Sequence, residues 1–143
     1  MLIAIIGESC VGKTSLANEL KDRIDAKVFS GKDFLKLEKN PFVAIDKFKQ
    51  LLKESINGQN IIYVIADQEQ LDLLPEKAIK IVLTADLNII KDRFKKRMNG
   101  QLPKPVEIML EKKHGVFNHI DYDLLINNNN WDINYILNVL DIK

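Results

Sequence analysis

The sequence predicts an α/β three-layer sandwich, a five-stranded parallel sheet flanked by helices. Three observations carry that expectation. Short apolar runs alternate with stretches whose apolar residues recur at helical spacing, the pattern of repeated strand–helix units. The strand-like runs are apolar at successive positions, as parallel strands covered on both faces require. Residues 7–14, Gly7-Glu8-Ser9-Cys10-Val11-Gly12-Lys13-Thr14, read G-x-x-x-x-G-K-[ST] and lie between the first such run and the first helical stripe.

Leu2–Ile6 is the first strand, and Leu16, Ala17, Leu20 and Ile24 mark the buried side of a helix beginning near Lys13. Residues 26–30 form a short second strand that opens into the polar turn Gly31-Lys32-Asp33. Pro41 suits the first turn of a helix, and the stripe Ala44, Ile45, Phe48, Leu51, Leu52, Ser55 and Ile56 predicts that helix over 42–56, ended by Asn57-Gly58. Residues 61–66 are the clearest strand, and Ile79–Leu83 is a fourth, after a break at Pro75. Thr84-Ala85-Asp86 caps a helix carrying Leu87, Ile90, Phe94 and Met98. Gly100, Pro103 and Pro105 make 99–105 a flexible connection before a short helix ending near Gly115. Tyr122–Ile126 is the fifth strand, and Ile133, Ile136, Leu137 and Leu140 define a terminal helix after the loop Asn127–Asn130, read simply as a turn. There is no internal repeat and no linker, so 1–143 is expected to be one domain. Ligands of such sheets bind at the carboxyl ends of the strands, which places Gly7, Ser30, Asp67, Thr84 and Asn127 on one rim.

The glycine loop states its own chemistry. Its backbone N–H groups curl into a concavity that holds a phosphate, and the helix behind it adds a positive dipole end. Gly7, Glu8, Ser9, Cys10, Val11, Gly12, Lys13, Thr14 and Ser15 are therefore expected to cradle a nucleoside triphosphate. Lys13 reaches the β/γ oxygens and the Thr14 hydroxyl takes a Mg²⁺ position. Cys10, the only cysteine, is read as a small filler in that loop; with one cysteine there is no disulfide framework. The 21 basic and 20 acidic residues nearly cancel, so nothing argues for nucleic-acid or membrane binding. No run is long and apolar enough to span a bilayer, and the start of the chain lacks a leader pattern, so a cytoplasmic location is expected.

Further residues resemble a known group. Residues 81–86 followed by Arg93-Phe94-Lys95-Lys96-Arg97 resemble the strand-then-helix segment of nucleoside-monophosphate kinases, and 121–127 resemble that group's last strand. The layout is similar to the adenylate/guanylate kinase group, with guanylate kinase-like features near the C-terminus. The resemblance implies ATP and Mg²⁺ as cofactors and a lid of about residues 98–118. It implies Arg93 on the adenine face, Arg97 on phosphate, and Asn127 at the base pocket. Independently, Arg93 and Arg97 are four apart and share a helix face, in a chain that otherwise uses lysine almost throughout. Lys104, Lys112 and Lys113 stand where such a lid often carries arginines, or are surface charges.

The departures lie on the acceptor side. Between 30 and 39, and again at 67–70, there is no arginine. Asp33 resembles acidic residues of shikimate kinase-like enzymes that contact an acceptor hydroxyl or Mg²⁺. Asp67 resembles the Walker B carboxylate that holds Mg²⁺. For each, a helix N-cap is the alternative reading, and the functional one is favoured. His114 and His119 have no metal-ligand spacing and read as surface or loop residues. The leading expectation is a kinase moving the γ-phosphoryl of ATP to a nucleoside monophosphate or another small acceptor, with Lys13, Arg97 and Asp33 catalytic and Thr14 and Asp67 on the metal. The alternative is a nucleotide-binding protein or NTPase without kinase activity; D-x-x-G and N-K-x-D, the usual GTPase signatures, are absent.

Overall fold

The computed structural model describes residues 1–140, so the last three residues of the expected 1–143 unit lie outside it. Strands β1 (Leu2–Ile6), β2 (Lys27–Ser30), β3 (Ile61–Ile65), β4 (Ile79–Thr84) and β5 (Leu124–Asn127) form a sheet in the order β2-β3-β1-β4-β5. Every neighbouring pair is parallel. The helices are α1 (Lys13–Ile24), α2 (Pro41–Ser55), α3 (Leu87–Arg97), α4 (Lys104–Lys113) and α5 (Ile133–Val139). The expected α/β sandwich is the observed one.

Alternation along the central strands divides the core. Ile3 and Ile5 of β1, Ile62 and Val64 of β3 and Ile81 and Leu83 of β4 pack with Leu16 and Leu20 of α1, Ile90 of α3, Leu110 of α4 and Ile136 of α5. Leu2, Ala4, Ile6, Tyr63 and Val82 face the other way, onto Phe48 and Leu52 of α2 and onto Phe117. β1 and β3 are buried along their whole length, as their unbroken apolar sequence demands. Because every strand runs the same way, the carboxyl ends of all five reach one rim. β1, the central strand, delivers the glycine loop to its middle.

The boundaries shift where side chains intervene. α2 starts at Pro41 because Asn40 caps it, accepting from the N–H of Phe42 (2.9 Å) and Val43 (3.4 Å). β5 starts two residues later than its apolar run suggests. There Asp123 brackets Lys80: its N–H donates to Lys80 O and its Oδ2 accepts from Lys80 N–H, both at 2.8 Å. Part of the expected flexible connection is helical, since Pro103 and Pro105 fit the N-terminus of α4. Two short 3₁₀ turns, Asp33–Lys36 and Gln68–Leu73, follow β2 and β3. Both are too brief to carry a legible period.

Phe48 is the keystone of the α2 face. It is fully buried, with ring centroids 5.2 Å from Phe29, 5.3 Å from Phe34 and 4.9 Å from Tyr63. Phe48→Ala is expected to cost about 3–5 kcal/mol of stability, read as a fall in denaturant midpoint at unchanged slope. A loss near that of an exposed substitution would contradict this packing.

Candidate functional site

The loop begins where β1 passes closest to its neighbours. Gly7 N–H still donates to Ile65 O of β3 at 3.1 Å, and a Cβ on Gly7 would lie 2.6 Å from Leu83 O of β4. A side chain there collides with backbone, so only glycine passes. Cys10 (φ 64) and Gly12 (φ 99) then take left-handed conformations that turn the chain into α1. Gly12 is the N-cap of α1 and offers no side-chain cap. The first amides of that helix are thus left for a ligand. Val11 and Cys10 are buried in the α1-side core, in keeping with the filler reading of Cys10.

Ser9, Cys10, Gly12, Lys13, Thr14, Ser15 and Arg97 line a cavity of about 170 Å³. Its charged lining is two cations and no carboxylate. Lys13 Nζ donates to Glu8 O at 2.5 Å, folded across the loop. Burial pushes the Lys13 ammonium down to about 8; Arg97 pushes the same way, against the pull of Cys10, Glu8 and Asp67. A polyanion here relieves that cost, because it restores a partner to the buried charge.

α3 delivers both expected arginines to the loop, and they do different things. Arg97 lines the cavity. Arg93 meets the loop backbone: its Nη1 donates to Cys10 O at 2.9 Å. The expected lid segment is tied down over the same rim. Lys91 of α3 pairs with Glu111 of α4 at 2.6 Å. At the end of α4, Lys113 lies 3.6 Å from the Asp67 carboxylate. Glu8, nearly buried, accepts from Gly115 N–H at 3.0 Å and lies 3.2 Å from His114 Nδ1. Gln68 donates to Val116 O at 3.0 Å. Glu8, Ser9, Ala66, Asp67, Leu110, Lys113 and Val116 enclose a space of about 180 Å³ between loop and lid. His114 is exposed and in a turn, as a surface or loop residue is expected to be, and its ring also reaches Glu8 of the glycine loop.

The acidic candidates follow their strands as expected. Asp33 Oδ2 accepts from Ser30 N–H at 3.0 Å, so half of this carboxylate closes the turn after β2. Asp67 stands at the N-cap of the turn Gln68–Leu73. Gln70 reaches back with Oε1 to accept from Asp67 N–H (3.4 Å) and Ala66 N–H (3.2 Å). The spacing Asp67-x-x-Gln70 is a capping-box signature the sequence does carry. At the other end of the rim, Thr84 Oγ1 donates to Asn127 Oδ1. Thr84, Asp86, Asn127, Asn128 and Glu8 border a cavity of about 400 Å³.

The asparagine loop has more structure than a simple turn needs. Asn128 and Asn129 both have positive φ (53 and 60), which asparagine tolerates better than most residues. Asn128 N–H donates to Thr84 O (2.8 Å), and its Oδ1 accepts from Asp86 N–H (3.0 Å). Asn129 presses on the phosphate loop: a Cβ on Gly12 would lie 2.2 Å from its Oδ1. Trp131 Nε1 reaches Glu19 of α1 at 3.3 Å. A run of one residue type carries no sign of which member touches the loop.

No family model matches the chain, and no curated protein matches it in sequence. In three dimensions it is similar to a sugar kinase from Janibacter sp. (15% identity, 99% of this chain and 94% of that one, TM-score 0.65). It is similar to the YorR protein of Bacillus subtilis in complex with phosphorylated GDP (21%, 99% and 93%, TM-score 0.63). It is also similar to deoxyadenosine kinase from M. mycoides with bound dATP (19%, 99% and 100%, TM-score 0.59). The likeness is one of fold. At these identities it matches whole chain to whole chain, and the adenylate/guanylate kinase group is not singled out.

The buried ammonium makes a measurable prediction about the ligand-free protein. With a folded value near 8 against an ordinary 10.5, Lys13 opposes folding below pH 8. That cost fades as pH rises from 8 toward 10.5, where the unfolded chain still holds the proton. Lys13→Met keeps the stem and removes the charge. Its stability relative to wild type should be greatest near pH 7 and should decline as pH climbs through 8 to 10. Thermal melts of both proteins across that range read the effect, and a pH-independent difference would contradict a desolvated Lys13.

Proposed function

We propose that the chain is a small-molecule kinase that transfers the γ-phosphoryl group of ATP to a hydroxyl of a small acceptor. The observation that carries this reading is the loop cavity, where orphan helix amides, Lys13 and Arg97 face one space without an opposing carboxylate. The triphosphate lies along the loop from Gly7 to Ser15, with its β-phosphate over the amides and Lys13 on the β/γ oxygens. Its base end goes toward the cavity bordered by Asn127. The kinase and nucleotide-bound proteins of the same fold support this choice among the uses of a phosphate loop.

The donor set suits a hard cation. Thr14 with its hydroxyl and Asp67 with its carboxylate would hold Mg²⁺. Among the described residues no three His, Cys, Asp or Glu side chains gather as a protein-only metal cage, which fits an ion carried in with the nucleotide. Mg²⁺ supplies charge neutralisation on the phosphates.

In the transfer, a bond forms between the acceptor oxygen and the γ-phosphorus as the bond to the bridging oxygen breaks, and ADP leaves. The acceptor proton passes to Asp33, whose Oδ1 makes no hydrogen bond among the described residues. Arg97 faces the charge that develops on the transferring group. Residues 98–118 act as the lid: Glu8 and Asp67 hold it across the rim and so keep water from the phosphate.

Product analysis tests the reading directly. Incubation with Mg·ATP and a panel of nucleosides, nucleoside monophosphates and small hydroxy compounds should form ADP above the no-acceptor background, with a matching phosphorylated product. Hydrolysis alone, or binding without turnover, would replace the kinase by the NTPase or binding reading. Arg97→Ala should then lower kcat by about 10–10²-fold with little change in nucleotide affinity, because its charge matters most in the transition state. Unchanged kcat during acceptor phosphorylation would remove Arg97 from the reaction.

A further inference from the structure

Beyond the lid, on the β2–β3 side of the rim, lies a separate pocket of about 210 Å³ lined by Lys32, Phe34, Ile45, Glu69, Gln70 and Leu73. Three of its six walls are apolar. Its two charged side chains have opposite sign. Gln70 is the decisive member, because it is 5% exposed and its amide can face only one way. Oε1 accepts from two backbone donors, Ala66 N–H and Asp67 N–H, which fixes the oxygen toward the main chain. Nε2 therefore points away from them. It lies 3.6 Å from where a Cβ on Gly31 would stand, and it has no hydrogen-bond partner among the described residues. No buried side-chain polar atom among the described residues lacks a partner, so solvent reaches Nε2 through the pocket, and a donor held in one orientation at its wall is suited to a ligand's acceptor atom.

Gln70 ties the pocket to the loop side of the rim. Ala66 and Asp67, which hold Gln70, line the space between phosphate loop and lid together with Glu8 and Ser9. Its other border is pinned as well. Gly31 N–H donates to Val64 O (2.9 Å), and Tyr63 Oη donates to Gly31 O (2.7 Å). Burial pushes the Tyr63 phenol up, so it stays a donor. Lys32 and Phe34 are thus presented from a clamped turn.

We propose that this pocket is the acceptor subsite, that Gln70 is its specificity-determining residue, and that it takes an uncharged alcohol with a flat, hydrogen-bond-accepting body rather than a phosphomonoester. The identity of the group transferred rests on the kinase reading; the binding does not. A phosphomonoester brings a charge of about −1.5 to −2 and calls for several cationic donors. Here Lys32 is the only cation in the lining, and Glu69 opposes it. Phe34 and Ile45 give an apolar surface for a flat ring, and Gln70 Nε2 donates to a carbonyl oxygen or an unprotonated ring nitrogen at its edge.

The test uses the full chain, uncharged nucleosides and the same compounds as 5′-monophosphates. Binding is followed by calorimetry and by the NMR resonance of the Gln70 side-chain amide. At least one nucleoside should bind, move that resonance, and bind about tenfold or more tighter than its monophosphate. Gln70→Glu keeps an oxygen for Ala66 and Asp67 but exchanges the donor for an acceptor. It should weaken the nucleoside by about 10–10²-fold and leave Mg·ATP binding unchanged. Ile45→Trp fills the pocket from α2 without touching Gln70, and should abolish nucleoside binding even if the Glu variant folds poorly. If nucleosides bind in this way but no ADP forms with any acceptor, the kinase reading fails and the subsite stands. Tighter binding of monophosphates, no binding of any nucleoside, or a bound nucleoside that leaves the Gln70 amide unmoved would overturn the proposal.

Discussion

The close passage of Gly7 between β3 and β4 is the constraint on which the site depends. β1 is the central strand, so the chain leaving it has a neighbour on either side. It remains hydrogen-bonded to Ile65 while running within a side chain's reach of Leu83 O. That position fixes where the loop turns, which amides of α1 are left open, and where Lys13 comes to rest. The arrangement opposes stability locally. Cys10 holds a left-handed conformation and Lys13 is desolvated, both unfavourable in the absence of a ligand. The fully buried strands beneath, with Val11 and Leu16 packed onto them, offset those costs. An anion at the loop would offset both costs, as a site preorganised for binding requires.

Around this loop, contacts from distant parts of the chain converge. Arg93 braces Cys10, Asn129 abuts Gly12, and Glu8 holds His114 and Gly115. Arg93, His114 and Gly115 reach those residues from the connection between β4 and β5, and Asn129 from the loop after β5. Surface ion pairs such as Lys91–Glu111 add little by themselves. Here that pair joins α3, the helix bearing Arg97, to α4. The bond between Glu8 and the Gly115 N–H joins the glycine loop to the segment after α4.

The legibility of the sequence follows the range of the signal. β1 and β3 are unbroken apolar runs, and α2 shows a full helical stripe, so each is readable from neighbours in sequence. The glycine loop is readable for the same reason, since its pattern is complete within eight consecutive residues. The 3₁₀ turns escape because four to six residues carry no period. The start of β5 shifts because Asp123, polar and turn-like locally, brackets Lys80 some forty residues away. Arg97 is found by helical spacing. Arg93's grip on Cys10, His114's on Glu8 and Asn129's on Gly12 each span roughly a hundred residues of chain and leave no local trace. Gln70 lies between: its capping spacing is visible, but only the pocket beside it exposes the unused donor.

On the proposed reading, residues 7–15 form an anion site for a triphosphate, with Lys13 aimed at it. Calorimetric titration of Mg·ATP into wild type and Lys13→Ala tests this most directly. Loss of one charge-assisted contact of about 1.5–3 kcal/mol predicts affinity weaker by roughly 10- to 150-fold, with the variant still folded. Wild-type affinity in Lys13→Ala, or no Mg·ATP binding by the wild-type protein, would contradict the account.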